Sequence, residues 1–258
     1  MTQRKKAVTI SPNSKLTFVL VHGAWHGGWC WSRVAGPLRD AGHTVYTPTL
    51  TGLGERSHLL SDSTTLQTFV DDIVNVLVWE DLRNVVLVGH SFAGLVISGV
   101  ADAIPERLAR LIYFDAFILD SGISTFDTLP APVVEKLEAA ASQAGTATPA
   151  LPAPKPKSLG LTSPEDIEFV ASRLTPHPLA AYKTALQLRQ PQGNGLPCTY
   201  LHCNQPVFQA VAASSDWAKS QADWHWTTLA SCHAAMVSDP DLVCEALLRL
   251  GSPESELP

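Results

Sequence analysis

The chain has 258 residues, of which 45% are hydrophobic and 16% charged, and its formal net charge is −6. This composition excludes an intrinsically disordered chain, because there is ample apolar material to offset the entropy lost on ordering, and the lack of a Gly or Pro period excludes a fibre. The modest acidic balance argues against a nucleic-acid partner, which favours a basic face. One large globular domain with an insertion is therefore expected.

Apolar strands and amphipathic helices alternate over the first 115 residues. The run LTFVLV at 16–21 is apolar throughout, which is typical of a strand covered on both faces, whereas 66–79 repeats apolar residues at helical spacing. The pattern predicts a parallel sheet with helices on both faces. The predicted strands are Leu16–Val21, Thr44–Tyr46, Asn84–Gly89 and Leu108–Phe114, and the predicted helices are Trp31–Ala41, Leu66–Trp79 and Ala93–Ala103.

The alternation stops at about residue 118 and resumes near 191. Seven of the 19 prolines fall between Pro130 and Pro164, and helical stretches are predicted at 132–142 and 164–173. We expect a cap over the carboxyl edge of the sheet, since a long loop without structure is uncommon in a compact domain. The sheet is then completed by strands predicted at 199–203 and 224–229, and a closing helix is predicted at 239–250. The predicted division is a core of 16–117 and 191–250, a cap of 118–190, and flexible tails of 1–15 and 251–258.

The segment GHSFAG at 89–94 follows a buried strand and opens a helix. A serine at such a turn projects its hydroxyl above the sheet, beside the N-terminus of the following helix. Ser91 is therefore the candidate nucleophile, although Ala93 stands where the G-x-S-x-G pattern has its second glycine. An ordinary turn serine is the alternative.

A serine hydroxyl needs a base before it can attack a carbonyl carbon. Of the nine histidines, His233 follows the last strand and precedes the closing helix, which is the position of the base in a serine–acid–histidine order. His22 precedes a loop suited to oxyanion donors, and strand alternation turns His90 away from the site. A structural role is expected for His225. The sequence positions of the remaining five do not favour a role as general base: His26, His43, His58, His177 and His202.

The motifs HGAWHGGWCW (22–31), GHSFAG (89–94) and HAAMVSDP (233–240) occur in the order and spacing of an α/β-hydrolase. More narrowly, the chain resembles, over residues 16–250, the branch of plant hydroxynitrile lyases, methylesterases and their bacterial esterase and carbamate-cleaving relatives. The resemblance implies an α/β-hydrolase fold with Ser91 as nucleophile and His233 as base. It also implies that the backbone N–H groups of Ala24 and Phe92 form the oxyanion hole.

The acidic residue that orients the histidine base departs from the plant pattern. The plant members place an aspartate after the strand that corresponds to 199–203. Here that stretch reads Cys203-Asn204-Gln205-Pro206. Asp115 instead ends the strand LIYF, at the same edge of the sheet as Ser91, and is predicted to be the acid. The alternatives are that Asp115 only caps the turn into the cap and that Asp216 is the acid. Asp239 is expected to cap the last helix.

Aromatic residues accompany these motifs and predict an apolar substrate pocket. Trp25 and Phe92 lie beside the oxyanion donors in sequence, and Phe117 and Phe126 follow Asp115. Met236, three residues after His233, is predicted to contact substrate, with core packing as its alternative.

The sequence thus predicts a cofactor-independent serine carboxylesterase that acts on small, fairly apolar esters. Carbamate, amide and lactone cleavage by the same residues stay open. Cyanohydrin cleavage has less support, because Ala234 and Gly23 stand where the plant lyases carry lysine and threonine. A non-catalytic binding protein is a further alternative.

No nucleotide or metal motif is present, so neither a cofactor nor a metal is predicted. The N-terminal apolar run is too short for a signal peptide and no membrane span is expected. The five cysteines are irregularly spaced and odd in number, which does not indicate a disulfide framework. Together with the lack of a signal peptide, this favours a cytoplasmic protein. A small-molecule ester is the expected partner, and the oligomeric state is left open, a homodimer included.

Overall fold

The computed structural model describes residues 15–252, and its centre is a sheet of six parallel strands in the order β2-β1-β3-β4-β7-β8. The predicted parallel sheet with helices on both faces is confirmed. The strands of this sheet are β1 (Thr17–Val21), β2 (Thr44–Tyr46), β3 (Val85–His90), β4 (Leu108–Phe114), β7 (Cys198–Cys203) and β8 (Trp224–Leu229).

Helices cover both faces of the sheet. Because successive side chains of a strand point to opposite faces, each strand packs against both layers of helices. In β1, Phe18 and Leu20 pack into one buried cluster with the helices at 32–40 (α1) and 240–251 (α9), whereas Val19 and Val21 pack into a second cluster with those at 66–79 (α2) and 93–103 (α3). Such double burial requires the unbroken apolar runs seen in the sequence. The helices packed on the sheet are α1 (Ser32–Asp40), α2 (Leu66–Trp79), α3 (Ala93–Ala103), α7 (Ala212–Ser220), α8 (Ala235–Ser238) and α9 (Pro240–Gly251).

Most predicted boundaries agree with the observed ones to within one or two residues. The predicted helix over 31–41 is observed as α1 preceded by a 3-10 turn at Gly28–Trp31. The sequence did not predict α8, a single turn between His233 and α9. Pro240 lies in the first turn of α9 and has no N–H to continue the preceding turn, so the two helices are separate.

The segment between β4 and β7 leaves the sheet, as the sequence predicted. It contains α4 (Ala131–Ser142), α5 (Pro164–Ala171) and α6 (Leu179–Lys183), and a short antiparallel pair, β5 (Ala150–Leu151) with β6 (His177–Pro178). Its apolar side chains, including Leu151 and Tyr182, join the cluster formed by α2 and α3. The cap is thus packed onto the core, while the division at 118 and 190 stays a prediction.

The predicted tails fall mainly on residues 1–14 and 253–258, outside the described residues. Gly251 was assigned to the tail, but it is buried as the last residue of α9, where a Cβ would lie 3.0 Å from the ring of Phe18. All five cysteines are free and buried. Within residues 15–252, no helix has the length and hydropathy needed to cross a membrane.

Candidate active site

Ser91 lies at the sharp turn between β3 and α3, with a backbone φ of 55°. This left-handed conformation is uncommon for a residue with a side chain and stores strain that the surrounding packing must hold. The N–H of Ser91 donates to the carbonyl of Phe114 at 3.2 Å, and its own carbonyl accepts from Phe117 at 2.9 Å. The turn is thereby fastened to the end of β4 and presents the serine hydroxyl at the sheet edge.

The close packing around this turn depends on Gly89 and Gly94. A Cβ at position 89 would lie 2.6 Å from the carbonyl oxygen of Ala93, and a Cβ at 94 would lie 2.1 Å from that of Phe117. Ala93 itself is fully buried without such a conflict. The departure from G-x-S-x-G is therefore tolerated, because the space-restricted positions are 89 and 94.

Ser91, His233 and Asp115 form a continuous hydrogen-bonded chain. Nε2 of His233 lies 3.0 Å from Oγ of Ser91, and Nδ1 lies 2.7 Å from Oδ2 of Asp115. Since an ionised carboxylate can only accept, Nδ1–H donates to Asp115 and Nε2 is left to accept from the serine hydroxyl. This is the tautomer that general-base catalysis requires.

Asp115 is fully buried, which by itself opposes ionisation. Contacts from His202 and His233 and the N–H of Cys203 outweigh this burial and hold the pKa of Asp115 below its ordinary value. Asp216, the alternative acid, is exposed on α7 and lines a separate surface depression with Lys219 and Trp226. The arrangement brings Asp115, and not Asp216, to His233.

Ala24 lines the cavity above Ser91, and Phe92 is the residue that directly follows Ser91. Among the backbone hydrogen bonds of the described residues, neither N–H has a partner, so both are free to bind an oxyanion. Phe92 also immediately precedes α3, whose N-terminal dipole favours negative charge there. The assignment of these two donors to an oxyanion hole stays a prediction.

The cap holds the loop that carries Ala24. Trp25, with a φ of 64°, donates its indole Nε1–H to the carbonyl of Leu151 at 3.1 Å and its backbone N–H to Nδ1 of His177 at 3.4 Å. Its carbonyl accepts from the N–H of Thr175 at 3.0 Å. Sequence reasoning did not identify these cap residues, because they are far from Trp25 along the chain.

Four histidines around the site are buried in the neutral form. Burial lowers the pKa of His22 and of His177 to about 3 and that of His26 to about 4, and it lowers the pKa of His90 well below the ordinary range. One ring nitrogen in each of His26, His90 and His177 has no protein partner within the described chain, so a second proton would be buried without an acceptor. His90 donates Nε2–H to the carbonyl of His233 at 2.9 Å.

These buried histidines predict a protein that loses stability on acidification. Between pH 6.5 and the folded pKa values, the unfolded chain binds more protons than the folded one, so the free energy of unfolding falls as pH falls. The slope approaches about 1.4 kcal/mol per pH unit for each such histidine. Melting temperatures measured at pH 7.5, 6 and 5 should decrease in that order. A constant or rising melting temperature would contradict this expectation.

A cavity of about 380 Å³ opens above Ser91 and His233. Trp25 and Phe117 line it, as predicted. The sequence did not predict several other residues of its wall, among them the large apolar and aromatic side chains of Leu129, Tyr182 and Phe208. Because these residues come from cap and connecting segments, only the folded chain brings them together.

Three of the five residues predicted for the pocket do not line this cavity: Phe92, Phe126 and Met236. Met236 is fully buried among the apolar residues of the α1–α9 face, so the prediction of a substrate contact was wrong. Phe126 is buried behind Tyr182, which it meets edge-on at 5.9 Å. The Phe92 ring is also fully buried and stacks on Tyr182 at 5.0 Å, so it packs behind the cavity wall.

Phe208 stacks on the imidazole of His233, with ring centroids 3.9 Å apart and an interplanar angle of 21°. The sequence offered no signal for this contact, since Phe208 lies in the loop after β7. An aromatic face beside the ring restricts its rotation and stabilises it when it carries a positive charge.

Within residues 15–252, no group of three or more His, Cys, Asp or Glu side chains has the geometry of a metal site.

Comparison with known proteins supports the fold. A sequence model of the alpha/beta hydrolase family matches residues 18–246. The carbendazim hydrolyzing esterase of Nocardioides sp. (strain SG-4G) is 35% identical to this chain over 242 residues, which are 91% of this chain and 99% of that protein. Methylesterase 4 of Arabidopsis thaliana is 33% identical over 135 residues, 52% of this chain and 49% of the plant protein.

Among solved structures, an extracellular alpha/beta-hydrolase from a Paenibacillus species superposes with a TM-score of 0.79 and 26% sequence identity. The match covers 92% of this chain and 99% of that one. The Paenibacillus protein is described as sharing structural and functional homology with tobacco salicylic acid binding protein 2.

Proposed function

This chain belongs to the alpha/beta hydrolase family, and on that premise we propose that it is a cofactor-independent serine carboxylesterase for small, fairly apolar esters. The observation that carries the proposal is the hydrogen-bonded chain from Asp115 through His233 to Ser91, which ends at the cavity. The esterase names of its relatives support the same reaction class. The five free thiols favour a reducing compartment, in line with a cytoplasmic location.

Catalysis begins when His233 Nε2 takes the proton of the Ser91 hydroxyl as Oγ attacks the ester carbonyl carbon. The tetrahedral intermediate collapses, the alkoxide leaves with the proton held by His233, and the acyl group stays on Ser91. Water then attacks this acyl-enzyme with His233 again as base. The carboxylic acid departs and Ser91 recovers its proton.

Asp115 and the two free amides stabilise the charges that develop in these steps. The buried carboxylate stabilises the imidazolium of His233 and holds its tautomer. The N–H groups of Ala24 and Phe92 bind the oxyanion, and each such donor stabilises the transition state by about 3–4 kcal/mol. Because the donors belong to the backbone, they are set in place before the substrate arrives.

The cavity wall defines the substrate class. Of the described residues that line it, none is Asp, Glu, Lys or Arg, and most of the larger ones are aromatic or aliphatic, with Gln209 as an uncharged polar exception. An uncharged ester with a modest apolar group fits this surface. Carbendazim is a second candidate substrate, because the bacterial relative matched over 91% of this chain is named for its hydrolysis.

Cyanohydrin cleavage fits the site less well. The plant lyases of this branch carry a threonine at the position of Gly23, and here a Cβ at that position would lie 2.8 Å from the Cβ of Ser91. A larger side chain would therefore displace the nucleophile. Ala234, in place of the lysine, offers no charge to a departing cyanide.

A p-nitrophenyl ester series from C2 to C12 tests the proposal. We expect the highest kcat/KM on the short acyl chains, with a decline as the chain outgrows a cavity of about 380 Å³. Spontaneous hydrolysis without protein is the baseline. Carbendazim and mandelonitrile are assayed beside the series. Cyanide release with no ester turnover would replace the esterase by a lyase.

A further inference from the structure

The carboxylate of Asp115 faces two histidines rather than one. Oδ2 accepts from His233, whereas Oδ1 lies 3.2 Å from Nδ1 of His202 and accepts from the N–H of Cys203 at 3.1 Å. The reaction described above uses only His233. Nδ1 of His202 is at contact distance from Oδ1 but has no hydrogen-bond partner of good geometry among the described residues. We propose that His202 is a positioning residue: a small rotation of its ring lets Nδ1–H donate to Oδ1 and hold the carboxylate in the orientation that serves His233. This inference rests on the proposed function.

The strand register explains why His202 reaches Asp115. β4 pairs with β7 up to Phe114 opposite Leu201, and the N–H of Asp115 continues the pairing by donating to the carbonyl of Leu201 at 2.8 Å. At Asp115 the backbone turns into the left-handed region, with a φ of 43°. The carboxylate therefore leaves β4 beside the end of β7, where His202 and Cys203 supply donors.

The imidazole of His202 is held by aromatic neighbours. It stacks on the indole of Trp226 in β8, with centroids 5.8 Å apart and an interplanar angle of 29°. Trp226 is itself fixed, since its Nε1–H donates to Oγ of Ser215 at 3.1 Å and Nζ of Lys219 lies 4.5 Å from its ring. A ring held in this way offers its Nδ1 proton in one direction at little further entropic cost.

A carboxylate without such donors would not keep one orientation. The terminal torsion of an aspartate is broad, so its two oxygens exchange places readily. The hydrogen bonds from His233 to Oδ2 and from the N–H of Cys203 to Oδ1 already distinguish the two oxygens, and a proton donated by the adjacent Nδ1 of His202 would add a second donor to Oδ1. Removal of the His202 donor would leave Oδ1 with the Cys203 N–H alone, and the side chain would spend less time aligned with His233.

Three substitutions at position 202 separate the donor from the packing. In His202→Asn, the amide nitrogen stands near the place of imidazole Nδ1 and can still donate to Asp115. In His202→Gln the nitrogen is one bond further out, and His202→Leu has no donor. We expect His202→Leu and His202→Gln to lower kcat on p-nitrophenyl butyrate on the order of tenfold, with KM nearly unchanged, and His202→Asn to recover most of the rate.

The control is His225→Leu, a histidine replacement in β8 at a site with no contact to Asp115 among the described interactions, which should leave kcat unchanged. Wild-type kcat in His202→Leu and His202→Gln would overturn the inference. So would an equal loss in all three variants, because the role would then be one of packing. If His202→Leu does not fold, the Asn and Gln variants still decide the matter. Ester turnover by the wild type tests the proposed function separately.

Discussion

Replacement of Ser91 by alanine is expected to lower kcat/KM for p-nitrophenyl butyrate by a factor on the order of 10⁶. Without Oγ no acyl-enzyme can form, and only substrate binding and the oxyanion hole still act on the reaction. The strained turn at Ser91, with its φ of 55°, is retained because alanine has a similar backbone preference. Steady-state rates and the spontaneous background measure the loss.

Ser98→Ala is the matched control for this prediction. Ser98 is also buried on α3, but its hydroxyl donates to the carbonyl of Gly94 and contacts Tyr113, away from the cavity. We expect this variant to keep the wild-type rate per folded molecule, as checked by its melting temperature. Equal turnover by Ser91→Ala and the wild type would exclude Ser91 as the nucleophile.

The second large effect is expected for the acid. Asp115→Asn should lower kcat on the order of 10⁴-fold. An amide at this position can donate to Nδ1 of His233, which would place the imidazole proton on Nε2 and prevent it from accepting the Ser91 proton. Asparagine tolerates the left-handed backbone at 115, where φ is 43°, so the effect should come from the tautomer and not from misfolding.

Asp216→Asn supplies the contrasting variant. Asp216 is exposed on α7 and makes no contact with His233 among the described hydrogen bonds and ion pairs. The wild-type kcat is therefore expected, with both variants assayed at the same pH and checked by circular dichroism. A large loss in Asp216→Asn with little change in Asp115→Asn would move the acid to α7.

The sheet and the chain order of the site residues follow from local sequence patterns. Apolar runs such as 16–21 and 85–90 can only be strands covered on both faces, because their side chains leave no polar face for water. Ser91, Asp115 and His233 each follow directly on a strand, or nearly so, at the carboxyl edge of a parallel sheet. Parallel strands bring these ends together, so sequence position alone indicated that the three side chains would lie close to one another.

Only the tertiary structure decided which residues form the cavity wall and which side chains surround Ser91, Asp115 and His233. Met236, near His233 in sequence, lies in the core because α8 turns it inward, whereas Tyr182 and Phe208 reach the cavity from the cap and from the loop after β7. No periodicity encodes such contacts, since they depend on how segments far apart in sequence pack against one another.

His202 shows the same limit most clearly. On the sequence it is one of several buried-strand residues without an assigned role, and nothing beside it in the chain suggests a carboxylate partner. The partner arrives through the β4–β7 register and the left-handed turn at Asp115, which are properties of paired strands. The sequence by itself determined the alternation of strands and helices and the positions of Ser91, Asp115 and His233 after strands, because both depend on patterns within single elements, while it left Asp216 open as the acid. The tertiary structure decided which side chains surround them, because those contacts depend on the register and packing of elements distant in the chain.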